Sequence, residues 1–235
     1  MDALVNAIRG RIPRPRRSVV ALWRAPLDLS PGVMAALQAS LSVEEIVRAG
    51  SLRRLRDRKR FIAARGWLRA LVGAELGCPS GEVPIVSRPD GKPEIPGADL
   101  RFSVAHSDDL GLFAITRNSE VGVDVEAIRP EAGIDQIGAL FFSPTERRIL
   151  ERLPLEDRVQ AAYQCWTCKE AYVKATGAGL SDDVRDYETW TGKGEPARVH
   201  DWFVHEVEIG PGFAAALAIH REPNPVIQIQ GARIG

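Results

Sequence analysis

The chain has 235 residues, 45% of them hydrophobic, and its 31 basic residues balance its 31 acidic ones. This length suits one larger domain or two small packed ones, and the composition is sufficient for a hydrophobic core. A formal net charge of zero gives no global field of the kind that is typical of a nucleic-acid-binding or membrane-surface protein. Any charged partner must therefore be recognised by a local patch.

The cysteines and the N-terminus indicate a cellular compartment. Cys78, Cys165 and Cys168 give an odd and low count, which provides no disulfide framework and suits a reducing environment. The first residues contain no uninterrupted apolar segment and no small-residue cleavage site, so they do not resemble a signal peptide. No stretch approaches the length of a membrane-spanning helix. These features predict a soluble cytoplasmic protein.

The N-terminal half of the chain shows strand and helix patterns in turn. A strand is predicted from Ser18 to Trp23, after a start rich in proline and arginine. Ser42 and Glu45 have the spacing of a capping box, which predicts the beginning of a short helix. An apolar stripe predicts a long helix over residues 51–76, and Gly77 is suited to end it.

The centre of the chain is predicted to be a loop followed by strands. Residues 81–97 are rich in proline and glycine, which predicts a loop with at most a short strand. Three extended patterns follow, and they predict strands at Leu100–Ala105, Gly111–Arg117 and Val121–Glu126. The last of these alternates cleanly between apolar and polar residues, which predicts one buried face and one polar face.

The C-terminal half is predicted to contain two helices and then strands. Ser143, Pro144 and Glu146 are typical of a helix start, with an N-cap, a first-turn proline and a capping box. The other predicted elements are a helix at about Asp157–Thr176 ended by Gly177, strands at Trp202–Ile209 and Phe213–His220, and a loosely held tail after Pro223. Helices mixed with neighbouring strand pairs predict an α+β fold. Because each half contains a helix and strands, the chain could form two similar lobes.

The strand at Val121–Glu126 carries two acids on one face. Side chains two residues apart share a face of a strand, so Asp124 and Glu126 project to the same side while Val123 faces the core. Two carboxylates about 7 Å apart along a strand can converge on one Mg²⁺, which prefers oxygen ligands. A charged edge strand facing solvent is the alternative, and this motif alone does not decide between them.

The long C-terminal helix places an acid on an otherwise apolar stripe. The stripe consists of Val159, Tyr163, Trp166, Glu170 and Val173. A carboxylate at such a position is costly unless it is paired or bound to a metal. Lys174, four residues on, could form an ordinary helix ion pair with Glu170. A third metal ligand opposite the strand pair explains the position of the acid better.

Three further segments carry residues suited to phosphate. Asp90-Gly91-Lys92-Pro93 combines a tight turn with a lysine, although Asp-Gly is more often a plain surface turn. His106, at the end of a predicted strand, could hold phosphate, act as a base or be structural. An arginine face on the first long helix is open to phosphate binding, a nucleic-acid patch or simple solvation. Its members are Arg54, Arg58, Arg65 and Arg69.

Cys165-Trp166-Thr167-Cys168 is a C-x-x-C pattern, but it does not predict a redox or metal site. Reactive pairs gain a low pKa at a helix N-terminus, whereas this pair lies in the middle of a predicted helix. A zinc site needs more soft ligands, and Cys78 is the only other cysteine.

Taken in order, these pieces resemble the 4′-phosphopantetheinyl transferases, in particular the large monomeric class that activates peptide and polyketide synthetases. The strongest match is WTCKEAYVKATGAGL at Trp166–Leu180, where the family shows W-x-x-K-E-A/S-x-x-K followed by G-x-G-L. The second is VGVDVE at Val121–Glu126. Weaker support comes from Gly91-Lys92-Pro93, from FSVAHS after Arg101 and from Phe142–Glu146. The resemblance covers about residues 50–190.

The resemblance implies a fold of two similar α+β lobes related by a pseudo-twofold axis, with coenzyme A in the cleft between them. The lobes would meet near residue 119. The adenine and 3′-phosphate side would then lie in residues 1–119, and the metal and catalytic side in residues 120–235. The implied partners are coenzyme A and an apo acyl or peptidyl carrier protein, without nucleic acid or membrane, and a monomer would suffice.

For the reaction, the resemblance implies that Asp124, Glu126 and Glu170 hold Mg²⁺ against the pyrophosphate of coenzyme A. Lys174 would contact the phosphate chain and stabilise the leaving group. A carrier-protein serine would attack the β-phosphorus, and 3′,5′-ADP would leave. Glu170, directly or through a water, would take the serine proton.

For coenzyme A binding, the resemblance implies that Gly91, Lys92 and Pro93 line the adenine end, with Arg60 and His106 near the 3′-phosphate. Which surface receives the carrier protein, and which pathway is served, does not follow from the sequence.

Two positions and two rival functions stay open. Ala105 stands where the family usually has Ser or Thr, which removes one hydroxyl contact to phosphate. Glu146 has either a functional role or only its capping role. The rivals are a module that binds coenzyme A or a carrier protein without transfer, and another metal-dependent phosphotransferase or nuclease. Pure binding would not require the full set of acids and Lys174.

Overall fold

The structure is a computed structural model, which describes residues 18–129, 133–179 and 182–232. Its helices are α1 (Pro31–Gln38), α2 (Val43–Ser51), α3 (Leu55–Leu76), α4 (Ile134–Phe141), α5 (Pro144–Arg152) and α6 (Leu155–Thr176). Its strands are β1 (Val19–Pro26), β2 (Val86–Ser87), β3 (Pro93–Glu94), β4 (Leu100–Ser107), β5 (Leu110–Arg117), β6 (Val121–Ala127), β7 (Ala197–Val199), β8 (Trp202–Glu206), β9 (Phe213–His220) and β10 (Val226–Gly231). The Pro/Arg-rich start and Leu180 lie outside the described residues.

Two four-stranded sheets pack face to face. The first has the order β10-β1-β5-β4 and the second β6-β9-β8-β7. Alternate side chains from both sheets form the core between them, such as Leu22 and Ala114 from the first and Val123 and Leu217 from the second. The alternation predicted for β6 is confirmed, because its valines face this core.

Helices cover the outer face of each sheet. Trp67 of α3 and Leu37 of α1 pack with Phe113 of β5 on the first sheet. Cys168 of α6 packs with Ala216 of β9 on the second sheet. The order of layers is therefore helix, sheet, sheet, helix, which confirms the predicted α+β class.

Each half contains a short helix with a capping box followed by a long helix. The capping boxes predicted at Ser42 and Ser143 are both formed, each with its two reciprocal hydrogen bonds. A 22-residue helix follows in each half, and each ends at a glycine in the left-handed region, Gly77 at φ +71° and Gly177 at φ +76°. The predicted pseudo-twofold relation of the halves remains a prediction.

The prediction of a loosely held tail after Pro223 is wrong. Strand β10 pairs in parallel with β1 along its whole length, with Val226 opposite Val19, and Ile227 packs against the core between the sheets. The partner strand lies more than 200 residues away in the chain, so no local pattern signals the pairing. Helix α1 was also missed, although Ser30 and Pro31 at its start carried an N-terminal signal.

Strand β10 also bears on the division of the chain. The chain passes from the first sheet to the second between β5 and β6, close to residue 119, but β10 returns to the first sheet. A boundary between residues 1–119 and 120–235 stays a prediction. Among the helices of the described residues, none combines the length and apolarity needed to cross a membrane.

Candidate active site

Strand β6 and helix α6 approach each other closely because Gly122 has no side chain. A Cβ at this position would lie 2.2 Å from the carbonyl oxygen of Ala171 and 2.4 Å from the backbone nitrogen of Ala175. Neither backbone atom can move without shifting the helix. This contact sets Asp124 and Glu126, on the face of β6 turned towards α6, beside the last turns of that helix.

Asp124 and Lys174 form the central contact of the site. Lys174 Nζ donates to Asp124 Oδ1 at 2.6 Å, with the aspartate side chain 4% exposed and the lysine 34% exposed. The ordinary helix pair between Lys174 and Glu170 is therefore not what the structure contains. Asp124 Oδ2 is buried and has no hydrogen-bond partner among the described residues. A buried carboxylate oxygen without a partner is costly, and this oxygen can accept a further contact.

The three acids influence one another electrostatically. Burial raises the pKa of Asp124 to about 7, and the charges of Glu126 and Glu170 add to the rise while Lys174 opposes it. Burial also raises the pKa of Glu126 and that of Glu170. Three carboxylates with raised pKa values would accept a cation that neutralises them.

In the metal-free protein, the contribution of Asp124 to stability is expected to fall as the pH rises from about 4 to about 7. The pKa of Asp124 is higher in the folded chain than its ordinary value of 3.8, so the folded state holds a proton that the unfolded state has released. A rise of about three pKa units corresponds to at most about 4 kcal/mol. Thermal unfolding in EDTA should show Asp124→Asn stabilised relative to the unsubstituted protein at pH 8 but not at pH 4. An equal effect at both pH values would contradict this.

The three acids have the right donor atoms for a hard divalent cation, but they are not arranged as a complete set of metal ligands. Asp124, Glu126 and Glu170 offer only oxygen donors, as Mg²⁺ prefers. Within the described ranges, no three metal-binding side chains are already gathered as a ligand cluster. The ammonium group of Lys174 donates a hydrogen bond to one oxygen of Asp124, and its charge neutralises part of the negative charge of the acids. The residues therefore fit a hard cation through the chemistry of their oxygen donors.

A cavity of about 630 Å³ lies between the first half of the chain and helix α6. This volume is in the range of small-molecule sites, about 300–1,000 Å³. Of the predicted binding residues, Gly91, Lys92, Pro93, His106 and Lys174 line it. The other lining residues are Glu44, Glu45, Arg48, Phe61, Ala64, Arg65, Ser87, Asp90, Ser103, Val104, Val173, Gly177 and Gly179.

Four predicted site residues are not among the lining residues: Arg60 and the three predicted metal ligands, Asp124, Glu126 and Glu170. Arg60 is bound to Asp28 through two hydrogen bonds of 3.2 and 3.0 Å and lies 3.7 Å from Asp108. Ala105 belongs to the core between the sheets, while its neighbour His106 faces the cavity. Desolvation by the surrounding protein and the charge of Lys174 lower the pKa of His106. A neutral imidazole at this place can still donate one hydrogen bond to a phosphate.

The Asp90–Pro93 turn is fastened to the end of helix α6. Gly91 adopts φ +84°, which favours glycine. Lys92 Nζ donates to Glu120 at 2.9 Å and to the carbonyl oxygen of Ala175 at 3.0 Å. Asp90 packs so closely on Gly177 that a Cβ there would lie 2.2 Å from its carboxylate oxygen. The turn thus closes one wall of the cavity.

Arginines of the predicted face make contacts within the protein, although Arg65 also lines the cavity. Arg65 and Arg69 both bind Glu45, at 2.6 Å each, and Arg69 is 3% exposed. Arg58 donates to backbone carbonyl groups at the end of α2. Spacing along a helix does not reveal which acid of a neighbouring helix lies opposite. Arg48, whose guanidinium group lies 5.9 Å from the centre of the Phe61 ring, is a lining residue that no motif indicated.

Glu146 has a structural role beyond its capping box. Its carboxylate is fully buried and lies 2.8 Å from Lys169 Nζ, which is also fully buried. Glu146 accepts a hydrogen bond from the backbone of Thr189 at 2.9 Å, and Lys169 donates to the carbonyl oxygens of Val184 and Tyr187. The pair therefore joins α5, α6 and the segment after α6. No local pattern indicated that Lys169 is buried.

The C-x-x-C cysteines are buried in the middle of α6. Cys165 is 0% and Cys168 is 1% exposed, and burial raises the pKa of both thiols well above its usual range. A thiol-reactive dye is expected to label at most Cys78 in the folded chain and all three cysteines after denaturation, because only Cys78 is partly exposed. Rapid native labelling of Cys165 or Cys168, measured by peptide mass spectrometry, would contradict this.

The sequence is similar to proteins of one known family. The model of the 4′-phosphopantetheinyl transferase superfamily matches residues 120–218. The 4′-phosphopantetheinyl transferase HetI of Nostoc sp. (strain PCC 7120) is 34% identical over 207 residues, which cover 85% of this chain and 87% of that protein. The chain belongs to the 4′-phosphopantetheinyl transferase superfamily. It transfers the phosphopantetheine group of coenzyme A to a carrier protein.

Two further relatives carry the same description. The putative 4′-phosphopantetheinyl transferase slr0495 of Synechocystis sp. is 37% identical to this transferase over 72% of this chain and 68% of its own. A 4′-phosphopantetheinyl transferase of Bacillus subtilis is 27% identical over 65% of this chain and 67% of its own. These matches span both halves of the transferase, whereas the family model covers β6 to β9 alone.

Proposed function

We propose that the transferase holds Mg²⁺ with Asp124, Glu126 and Glu170 and places the pyrophosphate of coenzyme A against it. The observation that carries this proposal is the buried, unpartnered Oδ2 of Asp124 beside the ammonium group of Lys174. When bound, Mg²⁺ would polarise the pyrophosphate and neutralise charge that develops on the leaving group. Lys174, which lines the cavity, would turn from Asp124 to the phosphate chain as the cation takes over the acids.

Coenzyme A would occupy the cavity between the halves. Gly91, Lys92 and Pro93 would contact its adenine end. The turn brings its backbone and the charged Lys92 to this side of the cavity. His106 would contact the 3′-phosphate, and its position on the cavity wall supports this. Arg60 would need to leave Asp28 or to act at longer range, since both of its carboxylate partners lie outside the lining.

The residues would divide the work of the transfer step. The serine oxygen of the carrier protein forms a bond to the β-phosphorus of coenzyme A, and the bond from that phosphorus to the bridging pyrophosphate oxygen breaks. 3′,5′-ADP leaves with the electron pair of that bond. Glu170 accepts the serine proton, directly or through a water, as the carboxylate of α6 that interacts electrostatically with Asp124 and Glu126. Lys174 stabilises the charge gained by the leaving group.

Intact-mass spectrometry tests the reaction and the metal requirement together. An apo carrier protein is incubated with the transferase, coenzyme A and Mg²⁺, with an EDTA control. A mass gain of one phosphopantetheine that EDTA abolishes is the expected result. Undiminished transfer in EDTA after chelating dialysis would refute the cation proposal. Lack of transfer to several carrier types, while coenzyme A still binds in calorimetry, would favour a binding module. A cytoplasmic location and a monomeric state remain parts of this proposal.

A further inference from the structure

The two sheets are joined along strands β4 and β6 by two serine side chains. The backbone N–H of Val123 donates to Ser103 Oγ at 3.1 Å, and that of Ala127 donates to Ser107 Oγ at 3.0 Å. Both serines lie on β4, four residues apart, and both acceptors are at least partly buried. The strand that carries the acids is thus fixed to the strand that carries His106.

Ser107 makes a second contact that Ser103 does not. Its hydroxyl donates to Glu126 Oε2 at 2.8 Å. A hydroxyl group has a single proton, and its oxygen here also accepts the N–H of Ala127. Both functions of the hydroxyl are therefore used, and the orientation of the Glu126 carboxylate is set from the opposite sheet.

We propose that Ser107 is a positioning residue for the cation, which holds the Glu126 carboxylate in place across the junction between the two sheets. This inference rests on the proposed cation site at Asp124, Glu126 and Glu170. One carboxylate oxygen of Glu126 is engaged by Ser107, which leaves Oε1 to the cation. Hydrogen-bond partners of metal ligands fix their orientation, and losing one costs about 10–100-fold in metal affinity or activity.

The test is a Mn²⁺ titration of the full chain by calorimetry, with and without coenzyme A and without carrier protein. Ser107→Ala is expected to weaken Mn²⁺ binding about 10-fold. Ser107→Thr keeps the hydroxyl and should restore most of the affinity. In the titration without coenzyme A, Ser103→Ala is the matched control, since it removes the other bridge between β4 and β6 but touches no acid of the site. It is not used with coenzyme A, because Ser103 lines the cavity. Its Mn²⁺ affinity should stay within about 3-fold of the unsubstituted chain, a smaller loss than that of a ligand's own partner.

Several outcomes would overturn the inference. Equal Mn²⁺ affinity of Ser107→Ala and the unsubstituted chain would remove the role of Ser107. Equal losses in Ser107→Ala and Ser103→Ala would mean that both serines only fasten the sheets. If Ser107→Ala does not fold, Ser107→Cys replaces it, because a thiol is a weaker donor. A folded Ser107→Cys with full affinity would overturn the inference, and weakened binding would support it. Absence of Mn²⁺ binding by the unsubstituted chain would instead refute the cation site itself.

Discussion

Asp124→Asn is expected to lower kcat/KM for phosphopantetheine transfer by about 10³-fold or more while the chain stays folded. The amide keeps the size of the carboxylate but removes its charge, so the cation loses a ligand and Lys174 loses its partner at 2.6 Å. A metal ion contributes several kcal/mol of transition-state stabilisation, and each 1.4 kcal/mol or so is a factor of about ten in rate. The measurement is the initial rate of carrier-protein mass gain at several Mg²⁺ concentrations.

Asp201→Asn provides the matched control for this substitution. Asp201 lies in the turn between β7 and β8 and is half exposed, and its carboxylate forms an ion pair with the exposed Arg221. Surface ion pairs contribute little, so its rate should stay within about 2-fold and its unfolding temperature should barely change. Near-full activity of Asp124→Asn in Mg²⁺ would show that the acids of β6 do not hold a catalytic cation.

The shared direction of Asp124 and Glu126 could be predicted from sequence, because every second side chain of a strand lies on the same face. Whatever the tertiary fold, Asp124 and Glu126 must share a face opposite the valines of β6. The surroundings of Glu170 were harder to predict, because the helical stripe that contains it lies at the edge of the buried face of α6. Val159 and Trp166 of that stripe are only partly buried, whereas Cys165 and Lys169 are fully buried.

Contacts between distant segments could not be predicted in the same way. The pairing of Lys174 with Asp124 rather than Glu170 depends on how closely β6 approaches α6, which Gly122 controls. The burial of Arg69 depends on Glu45 in a different helix. Local periodicity gives the direction of a side chain, but the partner is set by packing. For the same reason the parallel pairing of β10 escaped prediction.

Lys169→Met is expected to reduce the free energy of unfolding by about 3–5 kcal/mol, because it leaves the carboxylate of Glu146 buried without its cation. Both side chains are 0% exposed and 2.8 Å apart, so water cannot replace the lost partner without opening the structure. The carbonyl oxygens of Val184 and Tyr187 lose a donor as well. For a chain of this size the unfolding temperature should fall by about 10 °C. Urea unfolding followed by circular dichroism measures the change.

The double variant Lys169→Met/Glu146→Gln distinguishes the cost of an unpaired buried charge from the cost of lost packing. Removing both charges should restore part of the stability, since a glutamine oxygen can still accept the backbone N–H of Thr189. Lys193→Met, at an exposed position, is the control and should change the free energy of unfolding by less than about 0.5 kcal/mol. A double variant less stable than Lys169→Met alone would mean that Glu146 stabilises the fold through its capping and Thr189 bonds more than its unpaired charge harms it. The role of Glu146 would then lie in those bonds rather than in the ion pair.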